Sequence, residues 1–439
     1  MPSAVELQDP GSTAYKKAKR KHLKTIRNRP EHVDADWTPF RAAEKKYKAR
    51  FPPPDLSAVF DLAASDPTRV EEIKCGGWKG RADAVDHREI DLGEGTSKKA
   101  YIFPSVPGLV LLPSFVSPQE QRRLVQWSLK DHARHPNETN LDTHYILPHD
   151  GLWNSFLRSR NEGSPEEQIQ PRASVLDSSP QLIQDSGPRP LISNVPVSKS
   201  NFIPLITTPK LPAPPSLTVK PTLVSALIPK LRWANIGWYY HWGTKQYDFS
   251  RGKIDVDPVI SNVCKKTVST VPWAEVHGNT QNADGWSDDE HWSTWNDSYE
   301  PDAGIVNFYQ TKDTLMAHVD RSEVCATSPL VSISLGCAAV FLMGGLTRDV
   351  EPIPILLRSG DVVIMSGPQC RRAYHGVPRI LEDTLPALFG STRIQEDKDW
   401  PLYEEYMRTT RININVRQVF PKGFKPELDL PGLHDTNRS

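Results

Sequence analysis

From about Ile305 onward, short apolar runs alternate with turn residues. Residues 331–335 (VSISL), 338–343 (AAVFLM), 354–358 (PILLR), 361–365 (DVVIM) and 411–419 (RININVRQV) are spaced like the strands of a small antiparallel barrel or jelly roll. Ser359, Gly360 and Asp361 read as a tight hairpin turn between two of them. Residues 101–117 (YIFPSVPGLVLLPSFVS) predict two further strands around a Pro-Gly turn. The next segment, 118–134 (PQEQRRLVQWSLKDHAR), predicts an amphipathic helix whose buried side includes Leu124, Val125, Trp127 and Leu129. Residues 55–64 (DLSAVFDLAA) also have helical apolar spacing, and ordered sequence resumes with LVSALIPKLRWANIGWYYHW at 223–242. The fold class expected is mainly β with flanking helices (α+β), with a double-stranded β-helix, or jelly roll, as its core.

Other stretches lack such a period. Residues 163–222 are rich in Pro, Ser and Thr and poor in aromatics, which predicts a disordered insertion, because such a segment cannot bury enough apolar surface to offset its ordering entropy. Residues 284–300 (DGWSDDEHWSTWNDSYE) set three tryptophans among acids and read as a solvated surface loop with a few anchoring rings. The organisation expected is a basic, largely disordered tail over 1–55, helices and short strands over 56–162, the disordered Pro/Ser-rich insertion over 163–222, and the main core over 223–439.

Composition narrows the function classes. Lys and Arg total 53 against 53 for Asp and Glu, so the chain as a whole lacks the basic excess of a typical nucleic-acid binder. A local basic footprint exists at residues 16–29 (KKAKRKHLKTIRNR), which suits nuclear import or phosphate contact. The five cysteines form no CxxC pair, consistent with a reducing compartment. No apolar run approaches the roughly eighteen residues needed to cross a bilayer, so no membrane partner is expected. Glu6 and Asp9 count against a mitochondrial transit peptide. Nucleus and/or cytoplasm is the expected location.

The chemistry lies in residues 307–323, NFYQTKDTLMAHVDRSE. His318 and Asp320, two apart on a strand, project from one face and can reach one ion. His375, in RRAYHGVPRI, can return beside them after several strands. Two His and one carboxylate on one face of an octahedron leave three positions open, as in non-haem Fe(II) oxygenases. An HxD pair alone is common by chance. The last strand adds to it, because alternation puts Arg411, Asn413, Asn415 and Arg417 on one face and Ile412, Ile414 and Val416 on the other. Guanidiniums in that position suit a dicarboxylate, and Asn307 and Tyr309 form another same-face pair just before the His-Asp pair.

Taken in order, N-x-Y, L-x-x-H-x-D (Leu315, His318, Asp320), His375 and R-x-N-x-x-x-R resemble the AlkB family of 2-oxoglutarate dioxygenases. The chain is most similar to the eukaryotic AlkB homologue one branch through LRWANIGWYYHW, HVDRSE, FLMGG, RSGDVVIMSG and RQV. The resemblance spans 223–420 well and 101–145 loosely. It implies that His318, Asp320 and His375 bind Fe(II), that Asn307, Tyr309, Arg411, Asn413 and Arg417 hold 2-oxoglutarate, and that O2 is the second cosubstrate. It also implies oxidative demethylation of N-methylated bases in DNA or tRNA, releasing formaldehyde, succinate and CO2. Trp238 and Tyr240 would stack on the base, while Ser322 and Glu323 would lie near it. The bacterial pattern has an acid where Ser322 stands, so base preference does not transfer. The same fold could instead serve a histone or protein demethylase, or a non-catalytic RNA or chromatin adaptor. Oligomeric state is left open.

Overall fold

The computed structural model describes residues 6–7, 9–27, 37–74, 76–93, 98–173, 195–278, 286, 292–390 and 397–424. In chain order its strands are β1 (Arg88–Asp91), β2 (Lys99–Ile102), β3 (Leu109–Leu112), β4 (Gln168–Ile169), β5 (Thr222–Leu223), β6 (Trp233–Gly237), β7 (Tyr240–His241) and β8 (Gln246–Tyr247). They continue as β9 (Ala303–Gln310), β10 (Leu315–His318), β11 (Leu330–Gly336), β12 (Ala339–Met343), β13 (Ile353–Leu357), β14 (Val362–Met365), β15 (His375–Ile380) and β16 (Thr410–Arg417).

A larger sheet has the order β1-β2-β3-β14-β11-β16-β9-β6 and a smaller one β10-β15-β12-β13. From β9 to β16 the chain passes back and forth between them, placing β9, β11, β14 and β16 in the larger and β10, β12, β13 and β15 in the smaller. This is the expected double-stranded β-helix. Alternation along β16 sends Ile412, Ile414 and Val416 to the outer face, where they join Val306, Phe308, Val331, Ile333 and the helix residues Leu124, Val125, Trp127 and Leu129. The inner face presents Leu109, Leu111, Leu330, Val363 and Met365 to Phe341, Met343, Leu357 and Val377 of the smaller sheet. Strands covered on both faces read as unbroken apolar runs, as LVLL in β3 and VVIM in β14 do. Truncating such a side chain, for example Ile414→Ala, costs about 2–5 kcal/mol.

Several expectations are corrected. Ser359, Gly360 and Asp361 do not close a hairpin, because β13 and β14 lie in different sheets and the turn carries the chain between them. Gly360 takes a φ of 88° there, a region that glycine enters without a Cβ clash. Residues 55–64 form only a single 3-10 turn, Leu62–Ala64, and Phe60 instead bridges to Ile355 and Arg81.

The expected tail over 1–55 contains two helices, Thr13–Arg27 and Pro39–Lys48. The second starts at a Thr38 side chain that accepts the Arg41 N–H, with Pro39 in the first turn, both favourable N-terminal signals. Its Phe40 and Tyr47 pack on Val340, Leu342 and Leu356, on the outer side of the smaller sheet. The helix Thr13–Arg27 buries no residue of its own, but Tyr15 and His22 set their rings against Phe51.

The described parts of 163–222 are likewise ordered. Residues 174–194 lie outside the described set. Beyond them Val197 and Phe202, the latter at the start of the helix Phe202–Thr207, pack into a cluster with Tyr247, Phe249, Val324 and Phe420. In the acidic segment 284–300, Trp292, Trp295 and Tyr299 belong to the main core, and Trp295 stands edge-on to Trp273. Three large rings can bury more area against the core than the neighbouring acids lose.

Candidate active site

β10 and β15 run antiparallel with His318 directly opposite His375, and the ring centroids are 4.3 Å apart. Asp320 follows just past the end of β10. One ligand atom from each of His318, Asp320 and His375 fits within 4.8 Å of the others, and His318 Nε2 is 3.8 Å from Asp320 Oδ1. Each imidazole donates its Nδ1–H to a backbone carbonyl two residues earlier, His318 to Met316 at 3.0 Å and His375 to Ala373 at 3.1 Å. Both Nε2 lone pairs are thereby left for a metal, since a hydrogen bond at one ring nitrogen fixes the tautomer at the other.

The electrostatics suit that role. Burial, with the His318 charge adding to it, pushes His375 down to about 4, so its imidazole is neutral at ordinary pH. Burial alone would raise the Asp320 carboxyl, but Arg417 foremost, then His375 and His318, outweigh it and hold the group well below the usual carboxylate range. Metal ligands must be deprotonated in just this way.

β10 is an edge strand, and two residues outside the sheet secure it. Glu44, on the helix Pro39–Lys48, accepts the Ala317 N–H at 2.6 Å, and Arg348 Nη2 donates to the Ala317 carbonyl at 3.2 Å. The Ala317 N–H, one residue from His318, is thus held by a side chain from the chain's first fifty residues. Nothing in the sequence distinguishes Glu44 from a solvated helix acid.

The inner face of the larger sheet supplies a second feature. Register places Asn307 opposite Asn413 and Tyr309 opposite Arg411, so all four share a face with the metal-side gap. Arg411 is 1% exposed. Its Nη2 donates to Ser334 Oγ at 3.0 Å, whereas its Nε and Nη1, and the Tyr309 hydroxyl, have no hydrogen-bond partner among the described residues. Burial pushes the guanidinium down to about 10, with Tyr309 opposing. A buried cation short of partners is costly unless an anion completes it, and a carboxylate is the anion its fork geometry fits. Asn413 Nδ2 donates to Ser332 Oγ at 2.9 Å and to the Ile333 carbonyl at 3.0 Å. Arg417 differs from the expectation for it. Its Nη1 donates to Asp320 Oδ2 at 3.0 Å and to Glu323 Oε1 at 2.9 Å, and its buried Nε has no partner among the described residues.

The expected base-contact residues divide. β6 ends at Gly237, whose φ is 69°, so Trp238, Tyr240 and Trp242 do not continue one strand face. Trp238 sets its ring edge-on to Phe249 and Phe420 and is half-buried against that aromatic cluster, as Tyr240 is. Tyr240 pairs with Tyr247 across β7 and β8 and stands edge-on to Trp242 at 5.0 Å, while Ser322 donates its hydroxyl to the Lys245 carbonyl at 2.9 Å. Trp242 stacks on Trp233 at 4.7 Å, and Trp233 lies opposite Asn307 in the register. Trp233 was not singled out from the sequence, although it lies in the segment LRWANIGWYYHW. Glu323 is 1% exposed and does not reach a substrate surface.

A two-His, one-carboxylate centre between the sheets of a double-stranded β-helix, beside a buried unpaired arginine, defines a mononuclear non-haem iron oxygenase. The family model described as the 2OG-Fe(II) oxygenase superfamily matches residues 218–417. Among relatives, the Arabidopsis thaliana protein named DNA N(6)-methyladenine demethylase ALKBH1A is 29% identical over 393 residues, 88% of this chain and 97% of its own length. The Schizosaccharomyces pombe tRNA demethylase abh1 is 28% identical over 391 residues, 87% of this chain and 96% of its own. The human nucleic acid dioxygenase ALKBH1 is 34% identical over 209 residues, 44% of this chain and 47% of its own. Residues 218–417 thus match the 2OG-Fe(II) oxygenase superfamily, and over most of its length the chain is similar to the ALKBH1 proteins.

Proposed function

We propose that the protein oxidatively demethylates N-methylated bases in nucleic acid, DNA or tRNA, using Fe(II), 2-oxoglutarate and O2. The observation that carries the substrate class is the aromatic group Tyr240, Trp242 and Trp233, with Trp233 opposite Asn307 in the sheet, together with relatives whose names specify nucleic-acid demethylation. Stacking a base on an aromatic side chain is worth roughly 1–3 kcal/mol, which offsets part of the few kcal/mol needed to take it out of a helix.

In this reading His318, Asp320 and His375 hold the iron. Arg411 pairs with the distal carboxylate of 2-oxoglutarate, and Tyr309, Asn307 and Asn413 line the same pocket. Bound iron and 2-oxoglutarate supply the oxidation of the methyl group by O2, with succinate, CO2 and formaldehyde as products. The chain orients these groups, keeps the His375 imidazole neutral, and offers Arg411 as the partner of the cosubstrate carboxylate. Arg417 serves Asp320 first. The basic helix Thr13–Arg27 adds phosphate contacts that are independent of sequence and weaken with salt.

The test offers full-length protein, loaded anaerobically with Fe(II) and 2-oxoglutarate, a panel of methylated DNA and tRNA oligonucleotides and methylated histone peptides. Mass spectrometry of the nucleosides and peptides reads out demethylation. Loss of methyl groups from oligonucleotides with matched formaldehyde supports the proposal. Faster turnover of a histone peptide than of any oligonucleotide would replace it with a protein demethylase, and no turnover of any substrate would favour a binding role.

A further inference from the structure

We infer that Glu323 is a positioning residue for the metal centre: it divides the Arg417 guanidinium between two carboxylates and so keeps Asp320 available to a divalent cation. The inference rests on the metal site described above and deepens it.

Arg417 Nη1 lies between Asp320 Oδ2 at 3.0 Å and Glu323 Oε1 at 2.9 Å. Asp320 therefore turns one oxygen to Arg417, while Oδ1 faces His318 Nε2 at 3.8 Å. Glu323 has two further neighbours, although its Oε2 accepts no hydrogen bond among the described residues. Tyr247 donates its hydroxyl proton to Oε1 at 3.2 Å, and Arg371 Nη2 stands 3.5 Å from Oε2. Arg371 is itself anchored by a bond to the Ser328 carbonyl at 2.9 Å. Arg372 ties the same stretch from outside, donating to the Asp320 carbonyl at 2.7 Å and to the Glu323 carbonyl at 3.4 Å.

The charges explain the need. Asp320 is the one anion among the three expected ligands, and two cations claim it, Arg417 and the metal. In a buried setting each added charge counts far more than in water. While Glu323 is ionised, two carboxylates share two guanidiniums, Arg417 and Arg371. Without its charge, both guanidiniums would have only Asp320 to neutralise them. Arg417 would then draw fully onto the metal's own carboxylate. Glu323 sits three residues after Asp320, so it shares the loop it stabilises, which makes the arrangement local and stiff. Carboxylates behind a metal ligand commonly govern affinity in this way.

The experiment titrates Mn(II) into metal-free full-length protein by calorimetry, with no substrate and no turnover. Glu323→Gln keeps the size and hydrogen-bonding reach but removes the charge, and is expected to weaken Mn(II) binding by about 10–100-fold. In the Arg417→Met background the same change should leave affinity where Arg417→Met alone put it, because Glu323 acts through that guanidinium. A folded Glu323→Gln protein that binds Mn(II) like the parent overturns the inference, as does an equal loss in both backgrounds. Should Glu323→Gln fail to fold, Tyr247→Phe decides the matter. Losing the Tyr247 donor leaves Glu323 to draw more on Arg417, so Mn(II) affinity should rise, and an unchanged or lower affinity overturns the inference. A parent protein that binds no Mn(II) would instead overturn the metal site itself, and this inference with it.

Discussion

His318 and His375 occupy one antiparallel pair position between β10 and β15, with each Nδ1–H bound to the carbonyl two residues before it. The pairing turns two distant stretches of sequence into one rigid donor set. His318→Ala or Asp320→Ala should abolish Fe(II) binding and turnover while far-UV circular dichroism stays that of the parent, because both side chains face the open site rather than the core. Retained activity in Asp320→Ala would remove the iron assignment.

Arg411 makes a two-sided prediction. Without cosubstrate its buried, partly unpaired charge opposes folding, so Arg411→Met should be as stable as the parent or more so, as seen when buried charges give way to apolar groups. With saturating 2-oxoglutarate the parent should gain thermal stability and the variant should not. The apparent KM for 2-oxoglutarate should rise by roughly 30-fold or more, following the 2–5 kcal/mol typical of truncating one partner of a buried charge pair. An unchanged cosubstrate dependence would place the cosubstrate elsewhere.

Glu44→Ala should leave the Ala317 N–H buried without its carboxylate acceptor. The expected cost is about 1–3 kcal/mol, with weaker metal binding because the bond lies one residue from His318. Denaturant unfolding and Mn(II) titration of the same preparation would measure both effects. A change in neither would mean the helix Pro39–Lys48 does not steady the edge strand.

Phe202 is 1% exposed and meets Phe249, Phe420 and Phe424 edge to face. Phe202→Ala should therefore destabilise the protein by roughly 3–5 kcal/mol. Replacing residues 195–221 by a flexible linker should lower the melting temperature as well, since that change also removes the bond from Val197 N to the Arg321 carbonyl at 2.9 Å. A melting curve unchanged by both would return this segment to the role of a passive linker.

Asp302 provides a pH test away from the metal. Burial pushes its carboxyl up to about 7, partly opposed by the Val419 N–H, Lys253 and Trp238. The folded state thus holds this proton more tightly than the unfolded chain, where an Asp titrates near ~3.9. Its stabilising contribution is full below that value and is lost as pH rises towards about 7. Between pH 4 and 7.5 the melting temperature of the parent should accordingly fall relative to that of Asp302→Asn. Parallel profiles for the two proteins would contradict the shift.

The sequence by itself determined β11, β12, β13, β14 and β16, the apolar and polar faces of β16, and the residues that meet at the candidate metal site, because alternation and the HxD spacing are local properties of an extended chain. The AlkB-like motifs were legible for the same reason. Tertiary structure alone decided the rest. It joined β13 to β14 across two sheets instead of in one hairpin, since a turn sequence does not say which sheet its second strand will enter. It drew Phe40 and Phe202 out of segments whose charge or proline content suggested disorder, because a few large rings suffice when the folded body already offers them a surface. It also set Trp238 against Phe249 and Phe420, made Glu44 a brace for β10, and made Glu323 a partner of Arg417. In sequence a buried acid and a solvated one look alike, and only the positions of distant donors distinguish them.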